Sequence, residues 1–135
     1  MNKQIFVNLP VKDLGKSIAF FEAIGYTFNP QFTGDTTACM VINDTTFVML
    51  MTHEKFQGFT PKAVCDSTKS AEVLISLSCE SREAVDSLVA KAIAAGGSSH
   101  NPPQDHGFMY DHEFYDLDDH GWGIFWMDPA AAQQT

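Results

Sequence analysis

The sequence predicts an α+β fold of two βαβββ modules, with curved mixed sheets forming a cup. Three observations carry this. A strand-like segment, an amphipathic helical stripe, a glycine and a hairpin-like pair of segments occur in that order twice. The chain has 135 residues, 44% hydrophobic and 12% aromatic, enough for the core of one domain but short for two independent ones. At this size folding buries about two-thirds of the unfolded surface. Finally, one amphipathic helix and a few strands cannot bury both faces of their sheet alone, whereas two paired modules can.

Residues 4–11 (QIFVNLPV) read as a strand. Asp13 is placed to cap a helix in which Leu14, Ile18, Phe21 and Ile24 recur at helical spacing, and Gly25 follows as a helix-terminating glycine. Residues 38–42 (ACMVI) and 46–51 (TFVMLM) read as strands around the turn Asn43-Asp44-Thr45. The plan restarts at 72–79 (EVLISLSC). Ser81 is placed to cap a helix about one turn longer than the first, with the stripe Val85, Leu88, Val89, Ala92 and Ile93, ended by Gly96 and Gly97. Strand-like segments near 107–115 and 122–126 follow, around the Asp- and Gly-rich turn LDDHG. The resulting organisation is a single domain over 1–130. Module one covers about 4–51, a linker or flap 52–70, and module two about 72–128. A tail at 131–135 is expected to fray. The connector is long for its position, which is why a flap over the site is one reading of it.

Eight Lys and Arg stand against 17 Asp and Glu, a net charge of −9. That balance disfavours nucleic acid and anionic lipid as partners. There is no 18-residue apolar run for a membrane span, and MNKQIFVNLP lacks the basic and apolar regions of a signal peptide. Cys39, Cys65 and Cys79 match no zinc spacing. They read as reduced, mostly buried thiols, and the expected location is cytoplasmic. No Gly-x-Ser-x-Gly elbow, phosphate loop or dinucleotide fingerprint is present.

Two segments, VNLPVKDLGKSIAFFEAIGY at 7–26 and DLDDHGWGIFW at 116–126, resemble the vicinal oxygen chelate superfamily of glyoxalases, bleomycin resistance proteins and extradiol dioxygenases. The first is similar to the family's strand, turn and glycine-terminated helix. The second is similar to its final hairpin, from which Leu117 and Asp119 depart. With the duplication, the resemblance spans nearly the whole chain and points to a bacterial glyoxalase/bleomycin-resistance-like group.

The resemblance implies a divalent ion held by His, Gln or Glu from the first and last strand of each module. It also implies enediolate stabilisation or oxygen activation as the chemistry. Aligned position by position, the ligand sites fall on Phe6, Met49, Leu74 and Gly123. None offers nitrogen or oxygen, and a thioether is a poor donor for Mg, Mn, Zn or Fe(II). A one-residue slip brings in Asn8, but one amide is not a site. The expectation is therefore that no metal cofactor is held. A rival metal site is the stretch from Asp105 to His120, with His106, Asp111, His112, Glu113, Asp116, Asp118, Asp119 and His120. The better reading places Asp116, Asp118, Asp119 and His120 in a turn for backbone geometry. His112 and Glu113, adjacent on a strand, then point to opposite faces. His53 and His100 read as isolated surface groups.

Strand alternation assigns the cup lining. Val7, Leu9 and Val11 face the helix, leaving Phe6 and Asn8 to the cup. Val73, Ile75, Leu77 and Cys79 face the second helix, leaving Leu74, Ser76 and Ser78. Phe47, Met49 and Met51 join from the fourth strand and Gly123 and Phe125 from the last. Phe108, Met109 and Tyr110 enter from the adjacent hairpin. Such a lining suits a small hydrophobic or aromatic ligand, buried between Phe and Met side chains and oriented by Asn8, Ser76 or Tyr110.

The leading expectation is a metal-free protein that sequesters or senses such a compound. One alternative is an enzyme: a lyase, isomerase or extradiol dioxygenase with relocated metal ligands, or a metal-independent catalyst using Tyr110, His112 or Glu113 for acid–base work. Another is a structural domain with a filled cup. A homodimer is a further expectation drawn from the resemblance.

Overall fold

The computed structural model describes residues 3–132. The chain divides into two compact units, Met1–Asp66 and Ser67–Thr135, each carrying one module.

In the first unit, strand β1 (Ile5–Val11) runs into Asp13, whose carboxylate accepts the Lys16 amide at 3.0 Å and starts helix α1 (Leu14–Ala23). That bond satisfies one of the amides a helix start leaves unpaired. Leu14, Phe20, Phe21 and Ile24 are buried, so α1 lays its apolar stripe on the sheet. Gly25, at φ +109°, turns the chain out of the helix. Strands β2 (Thr27–Asn29), β3 (Thr37–Val41) and β4 (Thr46–Thr52) follow, with a 3-10 turn at Pro30–Phe32. The sheet order is β1-β4-β3-β2, parallel only between β1 and β4.

The second unit repeats the plan. Strand β5 (Leu74–Ser78) leads to Ser81, which accepts the Ala84 amide at 3.0 Å and caps helix α3 (Arg82–Ala94). Strands β6 (Gln104–Asp105), β7 (Met109–Tyr115) and β8 (Gly121–Met127) complete the order β5-β8-β7-β6. Only β5 and β8 run parallel. Val85, Val89 and Ala92 pack α3 over buried Phe114, Trp122 and Ile124. The Phe114 and Trp122 rings lie parallel, 6.0 Å apart. The α+β architecture of two βαβββ modules is thus present.

Several expectations need correction. Ile93 is 48% exposed, because it lies off the buried line of Val85, Val89 and Ala92. Of the cysteines only Cys39 is buried, while Cys79 is half-buried and Cys65 exposed. The 52–70 connector is not uniform: Thr52 accepts from the Lys55 amide and caps a short helix α2 (His53–Gln57). Of the tail expected at 131–135, Ala131 and Ala132 end helix α4 (Pro129–Ala132). Residues 133–135 lie outside the described residues. Among the described residues no helix is long and apolar enough to cross a membrane.

Candidate functional site

In the first unit the side of the sheet away from α1 is an aromatic and thioether surface. Register pairs Phe6 with Phe47, Asn8 with Met49 and Pro10 with Met51. The Phe6 and Phe47 rings stack at 4.8 Å with 15° between planes. Phe6 stays half-exposed while Met51 is buried. The structure therefore brings the predicted residues Phe6, Asn8, Phe47, Met49 and Met51 onto one face.

In the second unit β7 decides the site. Its sequence MYDHEFY alternates faces. Phe114 is buried, and the Tyr110 hydroxyl donates to Asp86 of α3 at 2.6 Å. These even positions mark the helix side, and Met109, Asp111, Glu113 and Tyr115 take the open side. Across the sheet, Glu113 lies beside Gly123 and Gly123 beside Ser76. In the next row Asp111 lies beside Phe125 and Phe125 beside Ser78.

A cavity of about 570 Å³ opens over these rows. Met109, Phe125 and Met127 supply apolar surface. Ser76, Gln104, Asp111 and Glu113 supply polar groups, and Asn101 and Pro102 form part of the wall. Gly123, Ile124 and His112 complete the lining, which contains no Lys or Arg.

Glu113 is fixed within this wall. Its Oε1 accepts from Ser99 Oγ at 2.9 Å and from the backbone amides of His100 and Asn101 at 3.1 and 2.9 Å. Its Oε2 is buried with no hydrogen-bond partner. His112 reaches the same segment from the other face. Its Nε2 lies 2.9 Å from the Asn101 carbonyl and 3.3 Å from Ser99 Oγ. A carbonyl only accepts, so Nε2 carries a hydrogen, while Nδ1 is buried without a hydrogen-bond partner.

Asp111 bonds to His106 Nε2 at 3.1 Å. Nearby, the Gly107 amide holds the Asp105 carboxyl below its ordinary pKa, with the Arg82 charge adding to that and burial opposing it. Arg82 lies over the Trp126 ring at 4.6 Å and also donates to the Gly107 carbonyl.

Of the residues predicted for this half of the cup, the cavity unites Ser76, Met109, Gly123 and Phe125. Tyr110 is corrected: alternation from Met109 puts it on the helix side, and Asp86 anchors it there. Leu74 shares the face of Ser76 but is 66% exposed and lies against Gly121, outside the lining. Phe108 precedes β7, is 52% exposed, and holds the Asp128 amide through its carbonyl. Sequence reasoning passed over Gln104, Asn101 and the carboxylate environment of Glu113. The available signal was the parity of β7, which puts Asp111 and Glu113 with Met109.

The positions implied for a divalent ion carry an aromatic ring, a thioether, an isobutyl group and a hydrogen. Among the described residues, no three His, Cys, Asp or Glu side chains are grouped to hold a metal ion. The residues at Phe6, Met49, Leu74 and Gly123 do not fit the ion the fold implies.

Residues 3–43 match the family described as bleomycin resistance protein-like N-terminal. No curated protein matches significantly. Among solved structures, a hypothetical protein from S. aureus is 34% identical, with TM-score 0.78, over 93% of this chain and 95% of that one. A glyoxalase/bleomycin resistance protein/dioxygenase family enzyme from Burkholderia phytofirmans is 19% identical, with TM-score 0.76, over 93% and 99%. A glyoxalase-related enzyme from Fulvimarina pelagi is 19% identical, with TM-score 0.77, over 93% and 88%. The last two likenesses concern the fold alone.

Proposed function

We propose that this chain, whose residues 3–43 match the bleomycin resistance protein-like N-terminal family, is a member of the vicinal oxygen chelate superfamily and within it a metal-free binder of a small, flat, largely apolar molecule. The observation that carries this reading is the row Ser76–Gly123–Glu113 under the cavity of the second unit. A glycine there leaves the sheet surface bare beside Phe125, Met109 and Met127. A ring laid on it would meet thioether and aromatic surface, with Ser76 and Gln104 offering hydrogen bonds at its edge. Burying about 200 Å² of apolar surface gains about 5 kcal/mol before the cost of association is subtracted. Such a balance suits sequestration or sensing.

The test is metal analysis of protein purified without chelator, followed by thermal-shift measurements with naphthalene derivatives. Ligand at 100 times its Kd stabilises by about 2.7 kcal/mol. The shift should vanish in Gly123→Trp, provided circular dichroism shows that variant folded. Near-stoichiometric metal surviving dialysis, or an unchanged shift in a folded Gly123→Trp, would overturn the reading.

A further inference from the structure

We propose that Leu74 and Tyr115 form the end stop of the second unit's cavity and so set the length of the molecule it accepts. This rests on reading the cavity as a binding site. The open face of the sheet is a series of rows across β5, β8 and β7. Leu74–Gly121–Tyr115 comes first, then Ser76–Gly123–Glu113, then Ser78–Phe125–Asp111, and last Met127 beside Met109. The cavity runs along β8 from the Gly123 row to the Met127 row and stops short of the Gly121 row. The backbone does not set that boundary, because β8 carries a glycine on both sides of it.

The flanking side chains set it. A Cβ at Gly121 would lie 2.7 Å from Leu74 Cδ2 and 3.2 Å from Tyr115 Cε2, so both side chains lean over this glycine. Gly121 is therefore buried although it faces the open side, whereas Gly123 is only partly buried. At Gly123 the three atoms nearest such a Cβ all belong to Ser76, and a serine is too short to close over the strand. The two halves of the stop differ in firmness. The Tyr115 amide donates to the Ser98 carbonyl at 2.7 Å, its carbonyl accepts from the Ser98 amide at 3.0 Å, and its ring packs on His100 at 4.7 Å. Leu74 opens β5 and is 66% exposed, so truncating it leaves the core intact. From Gly123 to Met127 the strand covers about 13 Å, at about 3.3 Å per residue. A naphthyl group fits along that span, and one lengthened by a rigid phenyl group overruns it into the stop. Removing the Leu74 side chain adds one row, about 6.6 Å.

The test compares 2-naphthylmethanol with 6-phenyl-2-naphthylmethanol by fluorescence anisotropy. The two probes share a head group and a ring system and differ in length. Wild-type protein should bind the short probe about tenfold more tightly, because the long one forces atoms into filled space. In Leu74→Ala the long probe should gain about tenfold, while the short probe's affinity holds. Val73→Ala, one residue before β5, should keep the wild-type ratio. A general loss of stability weakens both probes together and leaves their ratio alone. Equal binding of the two probes by the wild type would overturn the stop while leaving the cavity as a site. So would a ratio unchanged in folded Leu74→Ala. If the short probe does not bind at all, the cavity reading fails and the stop falls with it. Should Leu74→Ala not fold, Leu74→Val shortens the same side chain and should shift the ratio in the same direction, and an unchanged ratio there would overturn the stop.

Discussion

The Tyr110 hydroxyl donates a 2.6 Å hydrogen bond to Asp86 Oδ1, joining β7 to α3. Losing the phenolic proton would set two negative groups face to face. That bond is the main reason the Tyr110 pKa is pushed up from 10.0 to about 12, with burial and the Asp86 charge adding to it. Folding raises this value, so the stability it contributes is complete below the unfolded value near 10 and lost as pH rises through about 12. Tyrosinate absorbance, with Tyr110→Phe as reference, should show one phenol titrating near 12. In Asp86→Asn that phenol should titrate lower, nearer 10.

Asp116 is a second buried anchor. Its carboxylate accepts from Trp122 Nε1 at 2.9 Å and from the His120 and Asp118 amides at 3.0 and 2.9 Å. Asp116→Ala leaves these donors without their acceptor and should cost about 3 kcal/mol in urea unfolding. Burial pushes the Asp116 carboxyl above its ordinary 3.8, outweighing the pull of the His120 charge and the hydrogen bonds. The folded chain therefore holds this proton more tightly than the unfolded chain. The stabilisation is complete below 3.8 and fades as pH rises through the folded value. Unfolding measured from about pH 4 upward should show wild-type stability falling relative to Asp116→Asn.

How much of this was legible in the sequence depended on how local each cause was. Asp13 and Ser81 were recognisable as caps because a cap needs only its own helix. Alternation placed Phe6 with Phe47 and Ser76 with Gly123 because period-two geometry belongs to each strand. Strands Thr27–Asn29 and Gln104–Asp105 escaped because three and two residues carry no period. Tyr110 falls on the helix side rather than in the cup because the parity of β7 separates it from its neighbour Met109. The Glu113 environment could not be read at all. Its donors lie on coil brought alongside β7 through the Ser98–Tyr115 bridge, a contact between residues distant in sequence.

Gly25 and Gly34 separate backbone strain from steric crowding. A Cβ at either position would meet nothing within 4 Å. Gly25 has φ +109°, whereas Gly34 has no such conformation. Gly25→Ala should therefore destabilise by about 1–2 kcal/mol through the backbone alone. Gly34→Ala should be neutral or slightly stabilising, since it only narrows the unfolded ensemble. Thermal or urea unfolding of the two variants checks the contrast, and equal effects would refute it.

Position 123 offers the most direct check on the cavity's electrostatics. A Cβ there would stand 3.0 Å from Ser76 Oγ, a side-chain atom able to rotate aside. Gly123→Gln and Gly123→Glu share that crowding and nearly share their shape. They differ in charge, and the residue in register on β7 is Glu113. Like charges opposite one another on neighbouring strands repel, by about 0.2–1 kcal/mol where exposed, and repel more strongly where water is partly excluded. Gly123→Glu should thus unfold at lower urea than Gly123→Gln. Adding Glu113→Gln should abolish the difference, because the repelling partner is gone. A persistent difference in that double variant would mean that the cost at 123 comes from groups other than Glu113.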